Sequence, residues 1–277
     1  TATLGRLKHD VLAGVDLAYQ DSDFLRFRTN VADIPVAGPS LGFVPPAVQR
    51  QEVILGTNRW AAVYAQDQIS AGPDGRLKLL VGARYDTSHG EGTRDGEPQA
   101  PSEDSAVTGR FGAGYKLTAA MLAYASVSQS FVPQAPGTVD VNGTLLDPQT
   151  GLQYETGLKA ETFQGRLLTT VSVYHIRKDN VALSDLVLFN QTGQIAFFPG
   201  VAERSRGIEL DAAGRVSDRI SVFGNYSFND AETVEHANTP SQVGLPLGNT
   251  PRHLSRLWVA YDGSLASGRG AGGGAGH

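Results

Sequence analysis

Ser88, His89 and Asp95 supply, within one short stretch, the hydroxyl, imidazole and carboxylate that a nucleophile, base and orienting acid need, and His236 with Asp230 offers a second base and acid. Chain order does not matter for such a site, because catalytic groups meet in space. Ser88, however, is not framed by the glycines of a nucleophile elbow, so these residues read as polar groups of external loops. The six histidines, at 9, 89, 175, 236, 253 and 277, show no His-x-x-x-His or comparable ligand spacing, and the chain has no Cys, so no structural metal site is expected. Gly109-Arg110-Phe111-Gly112-Ala113-Gly114 has the glycine density of a phosphate cradle. It lies inside a strand pattern and opens no helix, which that fingerprint requires. Catalytic residues: none is the expectation.

The elements that hold these residues are strands. Leu7, His9, Val11, Ala13, Val15, Leu17 and Tyr19 share one parity, and Lys8, Asp10, Gly14, Asp16 and Gln20 the other, a period of two with one apolar face. The alternation returns near 77–85, 107–115, 152–160, 208–212 and 220–228. Four less regular segments, about 52–70, 119–131, 166–178 and 251–262, bring the expectation to about ten strands. All but the short 208–212 stretch meet the roughly 9–11 residues that a tilted membrane strand requires. No apolar run approaches the roughly 18–20 residues of a spanning helix, so any crossing of a bilayer is by strands.

Connections alternate in length. Short turns fall at Ala71–Gly75, Leu117-Thr118, Phe163–Gly165 and Val216–Asp218, and long polar segments at about 20–50, 88–104, 132–150, 179–200 and 231–250. Short turns at one end and long loops at the other are the habit of outer-membrane barrels. Tyr19, Tyr85, Tyr115, Tyr226, Phe228, Trp258 and Tyr261 end several apolar faces, as interfacial girdles do. Glu155, Lys159, Glu209 and Asp211 occupy the opposite parity, where a wet lumen tolerates charge and a dry core does not. They are expected to form structural charge pairs that support the wall or brace a plug. The net charge of −5, with Lys and Arg scattered, gives no footprint for nucleic acid.

Several strings resemble one family in order and spacing. Asp147-Pro148-Gln149-Thr150-Gly151-Leu152-Gln153-Tyr154-Glu155-Thr156-Gly157-Leu158-Lys159 resembles the Pro-Glu-x-Gly-x-x-Tyr-Glu-x-Gly-x-Lys hairpin of TonB-dependent receptors, with Gln149 in place of Glu. Ser205-Arg206-Gly207-Ile208-Glu209-Leu210 resembles another strand of the same receptors, as do Val63–Gln68, Leu80–Asp86, Tyr124–Gln134 and Pro251-Arg252-His253. The resemblance covers about residues 7–262 and leans to the siderophore branch.

It implies an all-β, antiparallel transmembrane barrel of about 22 strands, of which about ten are present. Residues 1–263 are then a partial barrel domain in the outer membrane of a Gram-negative bacterium, and 264–277 a low-complexity Gly-rich tail. The chain reads as an internal piece lacking the plug, the TonB box and the C-terminal strands. The implied partners are a ferric siderophore as transported ligand, outer-membrane lipids, and the TonB–ExbB–ExbD complex acting through the missing plug and box. No cofactor is implied, because a ferric siderophore carries iron already saturated with its own oxygens. Loop residues would then read its shape and charge, and Arg26, Phe27, Arg28, Phe197 and Phe198 are the expected contacts. The alternative is a complete small outer-membrane barrel acting as an enzyme such as a surface protease, which requires its first and last strands to pair. A soluble β-sandwich or adhesin-like module is the third reading.

Overall fold

The computed structural model describes residues 1–5, 7–28, 47, 50–264 and 270–276. In chain order the elements are β1 (Ala2–Leu4), β2 (Leu7–Arg28), β3 (Arg50–Ala71), β4 (Leu77–Arg94), β5 (Glu97–Pro98), β6 (Ser102–Thr118), β7 (Met121–Val132), β8 (Gln149–Thr162) and β9 (Leu167–Asp179). They continue with β10 (Leu183–Ser184), the helix α1 (Leu186–Thr192), β11 (Phe197–Phe198), β12 (Ala202–Arg215), β13 (Ile220–Glu235), β14 (His253–Ser264) and β15 (Gly270–Gly276). Every strand expected from alternation forms.

One antiparallel sheet runs β1-β2-β3-β4-β6-β7-β8-β9-β12-β13-β14-β15, with β5 paired to β4. Its register keeps the two parities on separate faces. Val15, Val63, Tyr85 and Val107 form one lateral row, and the adjacent row holds Gly14, Tyr64, Arg84 and Thr108. A slip of one residue would exchange the faces, so the register is fixed wherever the two faces meet different surroundings.

The apolar face is bare. Leu17 is 79% exposed and Val107 73% exposed, and among the described residues the buried apolar side chains are Ala62, Leu146, Ala196, Val201, Ala202 and Ala231. A soluble protein rarely leaves an apolar patch beyond a few hundred Å² uncovered. Here whole strands are uncovered, which excludes the sandwich reading and suits a hydrocarbon solvent. Asp67 interrupts this face between Val11 and Val81. A carboxylate there is costly unless paired, and His9 Nδ1 lies 2.6 Å from Asp67 Oδ2.

The polar face shows a repeated device at cross-strand pairs. Gly14 opposes Tyr64, Gly157 opposes Tyr124 and Gly207 opposes Tyr174. In each pair the tyrosine ring folds over the glycine. A methyl group added at Gly157 would sit 2.9 Å from the Tyr124 hydroxyl oxygen, and one at Gly207 would sit 2.7 Å from that of Tyr174. The glycine thus provides the space in which an aromatic ring lies flat along the wall, one use of strand glycines where another group approaches closely.

Three features of the sheet add to the sequence reading. The polar segments at 20–50, 88–104 and 231–250 are partly wall, since β2 and β3 are each 22 residues and β4 is 18 residues long. These lengths exceed the 9–11 residues a bilayer needs, so the strands project beyond it, hydrogen-bonded by backbone where hydropathy no longer marks a face. The Gly-rich stretch supplies β15, paired to Trp258–Ser264; composition changes near residue 263 within a continuing sheet. A complete small barrel would close β1 or β2 onto the last strand. Among the described residues the order is open from β1 to β15.

Candidate functional site

Two surfaces hold the functional candidates: the polar face and the loops at the end opposite the short turns. On the polar face, the Tyr124 hydroxyl donates to Glu155 Oε1 at 2.5 Å, and Gln153 donates to Oε2 at 2.9 Å. Lys159 Nζ lies 5.1 Å from the Tyr124 ring centroid, a cation–π approach. Glu209 and Asp211 stand two strands away, opposite Ser172 and Thr170. Among the described residues no salt bridge joins any two of Glu155, Lys159, Glu209 and Asp211. Tyrosine therefore mediates between Glu155 and Lys159, which strand parity gives no means of foreseeing. Further along the wall Arg84 bridges Asp16 and Asp86, its Nε 2.8 Å from Asp86 Oδ1.

The loops fold on one another and over the polar face. Pro136 rests against Gly90 and Gly92 of β4, leaving 3.0 Å between its Cγ and a Cβ built at Gly90. The Gln134 side-chain amide donates to the carbonyls of Asp147 at 2.8 Å and Asn180 at 2.9 Å, tying the β7–β8 loop to the β9–β10 connection. The Phe197 amide donates to the Val139 carbonyl at 2.9 Å. Leu146, Ala196, Val201 and His236 are buried in this assembly. Within it, amides of Asn142 and Thr144 donate to Asp140 Oδ1 at 2.8 and 2.9 Å. These bonds, that of Thr144 foremost, hold the Asp140 carboxyl below the usual carboxylate range.

The sequence-derived contacts are placed differently from one another. Arg26, Phe27 and Arg28 end β2 instead of lying in a free loop. Of Arg28 only the backbone is described. Phe27 is more than half exposed on the apolar parity, whereas Arg26 turns to the polar side and binds Glu52 Oε2 through Nη1 at 3.3 Å. Glu52 is 1% exposed and also receives Arg94 Nη1 at 3.3 Å on Oε1. Phe197 and Phe198 pair with Ser184 and Leu183 in a small second sheet. The Phe198 ring meets that of His236 edge-on at 4.7 Å.

Neither catalytic constellation assembles. Ser88 and His89 are neighbours on a strand and face opposite sides. The His89 ring nitrogens lie 3.3 Å from Glu91 and Glu103, and Asp95 Oδ1 accepts the Val53 amide at 2.7 Å. Asp230 binds Arg206 and Arg252, and His236 Nδ1 accepts the Thr239 amide at 3.2 Å.

An antiparallel wall with a bare apolar side, a polar side carrying charge, short turns at one end and folded loops at the other is the wall of a transmembrane β-barrel. The chain belongs to the family described as TonB dependent receptor-like, beta-barrel, which matches residues 1–276. It is 29% identical over 283 residues to the ferrichrome outer membrane transporter/phage receptor of Escherichia coli K12, covering 95% of this chain and 35% of that protein. It is 28% identical over 271 residues to the metal-pseudopaline receptor of Pseudomonas aeruginosa, covering 93% of this chain and 36% of that protein. The chain thus spans about a third of the length of the curated relatives it matches. The crystal structure of the ferripyoverdine receptor of the outer membrane of P. aeruginosa superposes with a TM-score of 0.71 at 22% identity, over 97% of this chain and 35% of that one. At that identity the likeness concerns the fold.

Proposed function

We propose that this wall serves an outer-membrane receptor that imports ferric siderophores with energy from TonB. The family match along residues 1–276 carries the reading. The cargo class is supported by relatives whose names specify ferrichrome and ferrioxamine B. The polar face supports it as well. Glu209 and Asp211 stand there with no salt-bridge partner among the described residues, a surface suited to basic side chains of a plug domain that TonB would displace. The protein then binds a chelated ion by shape and charge, and neither iron ligation nor catalysis is required of it. Of the expected contacts Arg26, Phe27, Arg28, Phe197 and Phe198, this reading keeps Arg28 and Phe197 for direct contact, since Phe27 stands on the outward parity of its strand. Arg26 and Phe198, already engaged by Glu52 and His236, act within it by shaping the mouth.

The test is uptake by the full-length protein in an Escherichia coli strain stripped of its own siderophore receptors, supplied with iron-55 chelates in the presence and absence of TonB. TonB-dependent accumulation of at least one ferric siderophore, abolished without TonB, is the expected result. Accumulation equal to that of cells lacking the protein for every chelate would overturn the reading.

A further inference from the structure

The ladder between β6 and β7 stops partway up the wall. β6 pairs with β4 from Tyr115 to Ser102, and β7 pairs with β8 from Met121 to Val132. With each other, β6 and β7 pair only as far as Arg110 and Ser128. Above that rung side chains keep the register. The Gly109 amide donates to Oε1 of Gln129, its partner in a continued ladder, at 3.0 Å. The Gln134 amide donates to Oδ2 of Asp104, likewise its partner, at 3.2 Å. Between these two bonds the strands present backbone edges with no rung across them among the described residues.

A glutamine sets the lower limit of this seam and a proline the upper. In β6 the amides of even-numbered residues face β4, as that of Lys116 does in reaching the Arg76 carbonyl at 3.0 Å. Those of Ser105 and Val107 therefore face β7. Gln129 holds with its side chain the amide that its own carbonyl would take in a ladder. Pro133, opposite Ser105, has no N–H to give. Val107 shares the apolar row of Val63 and Tyr85. Unpaired backbone at that depth is tolerated where it lines a water-filled cavity. A cavity of about 350 Å³ opens on the polar side at the foot of the seam, with Thr108, Arg110, Ser128 and Gln129 in its lining.

Two rungs, Gly109–Gln129 and Val107–Phe131, can form without a change of register. Forming them draws β7 toward β6 just ahead of Gln134, which ties Asp147 to Asn180, and of Pro136, which rests on Gly90 and Gly92. We infer that the β6–β7 seam is a two-state zipper that couples the wall to the β7–β8 loop, with Gln129 as the positioning residue. While Gln129 holds the Gly109 amide the seam is open, and the seat of the loop on β4 is fitted to that state. Closing the seam loosens the seat. The inference does not depend on what the protein carries.

The test is residue-resolved hydrogen exchange on the full-length protein in vesicles, for wild type, Gln129→Leu and Pro133→Ala. The first variant removes the competing acceptor, and the second supplies the missing donor opposite Ser105. In wild type the Val107 amide should exchange at least about tenfold faster than those of Ala106 and Thr108, which face β4, since unpaired amides open to water are the least protected. Each variant should slow Val107 by about tenfold. Each should also speed exchange at Gly137, whose amide donates to the Ala100 carbonyl at 2.8 Å. Val107 as protected as its neighbours in wild type would mean that the seam is already closed, and would overturn the inference. So would an unchanged Val107 in both variants, or a slowed Val107 with Gly137 unaffected.

Discussion

Arginine at position 173 is expected to destabilise the barrel by about 2–4 kcal/mol, the cost of a basic side chain facing lipid near the middle of the bilayer. Val173 lies midway along β9, half exposed on the apolar side, in register with Thr156 and Ile208. Three residues away Thr170 faces the other side, between Lys159 and Asp211. The same substitution at Thr170 meets water and a carboxylate, and should cost under about 1 kcal/mol, as surface changes do. Urea unfolding of the full-length protein refolded in phospholipid vesicles reads both. Equal losses for Val173→Arg and Thr170→Arg would mean that the two faces do not see different solvents.

Loss of the Glu52 carboxylate should come next in size. Breaking a buried ion pair from one side typically costs 3–5 kcal/mol, chiefly through the charge left behind. Arg26 is about half exposed and Arg94 about a quarter, so both partly regain water. About 2 kcal/mol is therefore expected for Glu52→Ala. The loss should be local, freeing the outer ends of β2, β3 and β4 before the membrane-embedded parts of the same strands. Hydrogen exchange measures this directly: faster exchange at Val53 and Asp95, whose backbone groups are bonded across that hairpin, with no change at Val63 or Val81. Uniform acceleration along the strands, or none, would show that Glu52 does not hold the projecting hairpin.

Much of the wall is legible in the sequence because a membrane strand must alternate for its whole buried length. Leu7–Tyr19 and Leu77–Tyr85 declare both faces without any knowledge of neighbours. Their continuations are harder to read. Beyond Tyr19 the strand carries Gln20, Asp21 and Asp23 on both parities, because both sides are wet there, while the backbone ladder to β3 continues to Arg28. Arg94 lies in the polar stretch Gly92-Thr93-Arg94-Asp95-Gly96, which looks like any turn. Its significance comes from Glu52, distant in sequence and brought alongside by register. The Tyr124–Gly157 and Tyr174–Gly207 contacts are likewise cross-strand facts: each residue alone reads as ordinary strand composition. Phe197 and Phe198 attract notice as loop aromatics, but only the folded loops reveal that Phe198 is committed to His236.

The claim beneath all of this is that one face of the sheet lies against lipid and the other against an aqueous lumen. This chain has no Cys, so single cysteines introduced at positions 170 through 174 provide unique sites for nitroxide spin labels within it. In the full-length protein in vesicles, labels at 171 and 173 should be relaxed preferentially by lipid-soluble oxygen. Labels at 170, 172 and 174 should respond preferentially to a water-soluble nickel chelate, giving strict alternation along the strand. Equal access of the nickel chelate to all five positions, or a period other than two, would contradict a membrane-spanning wall.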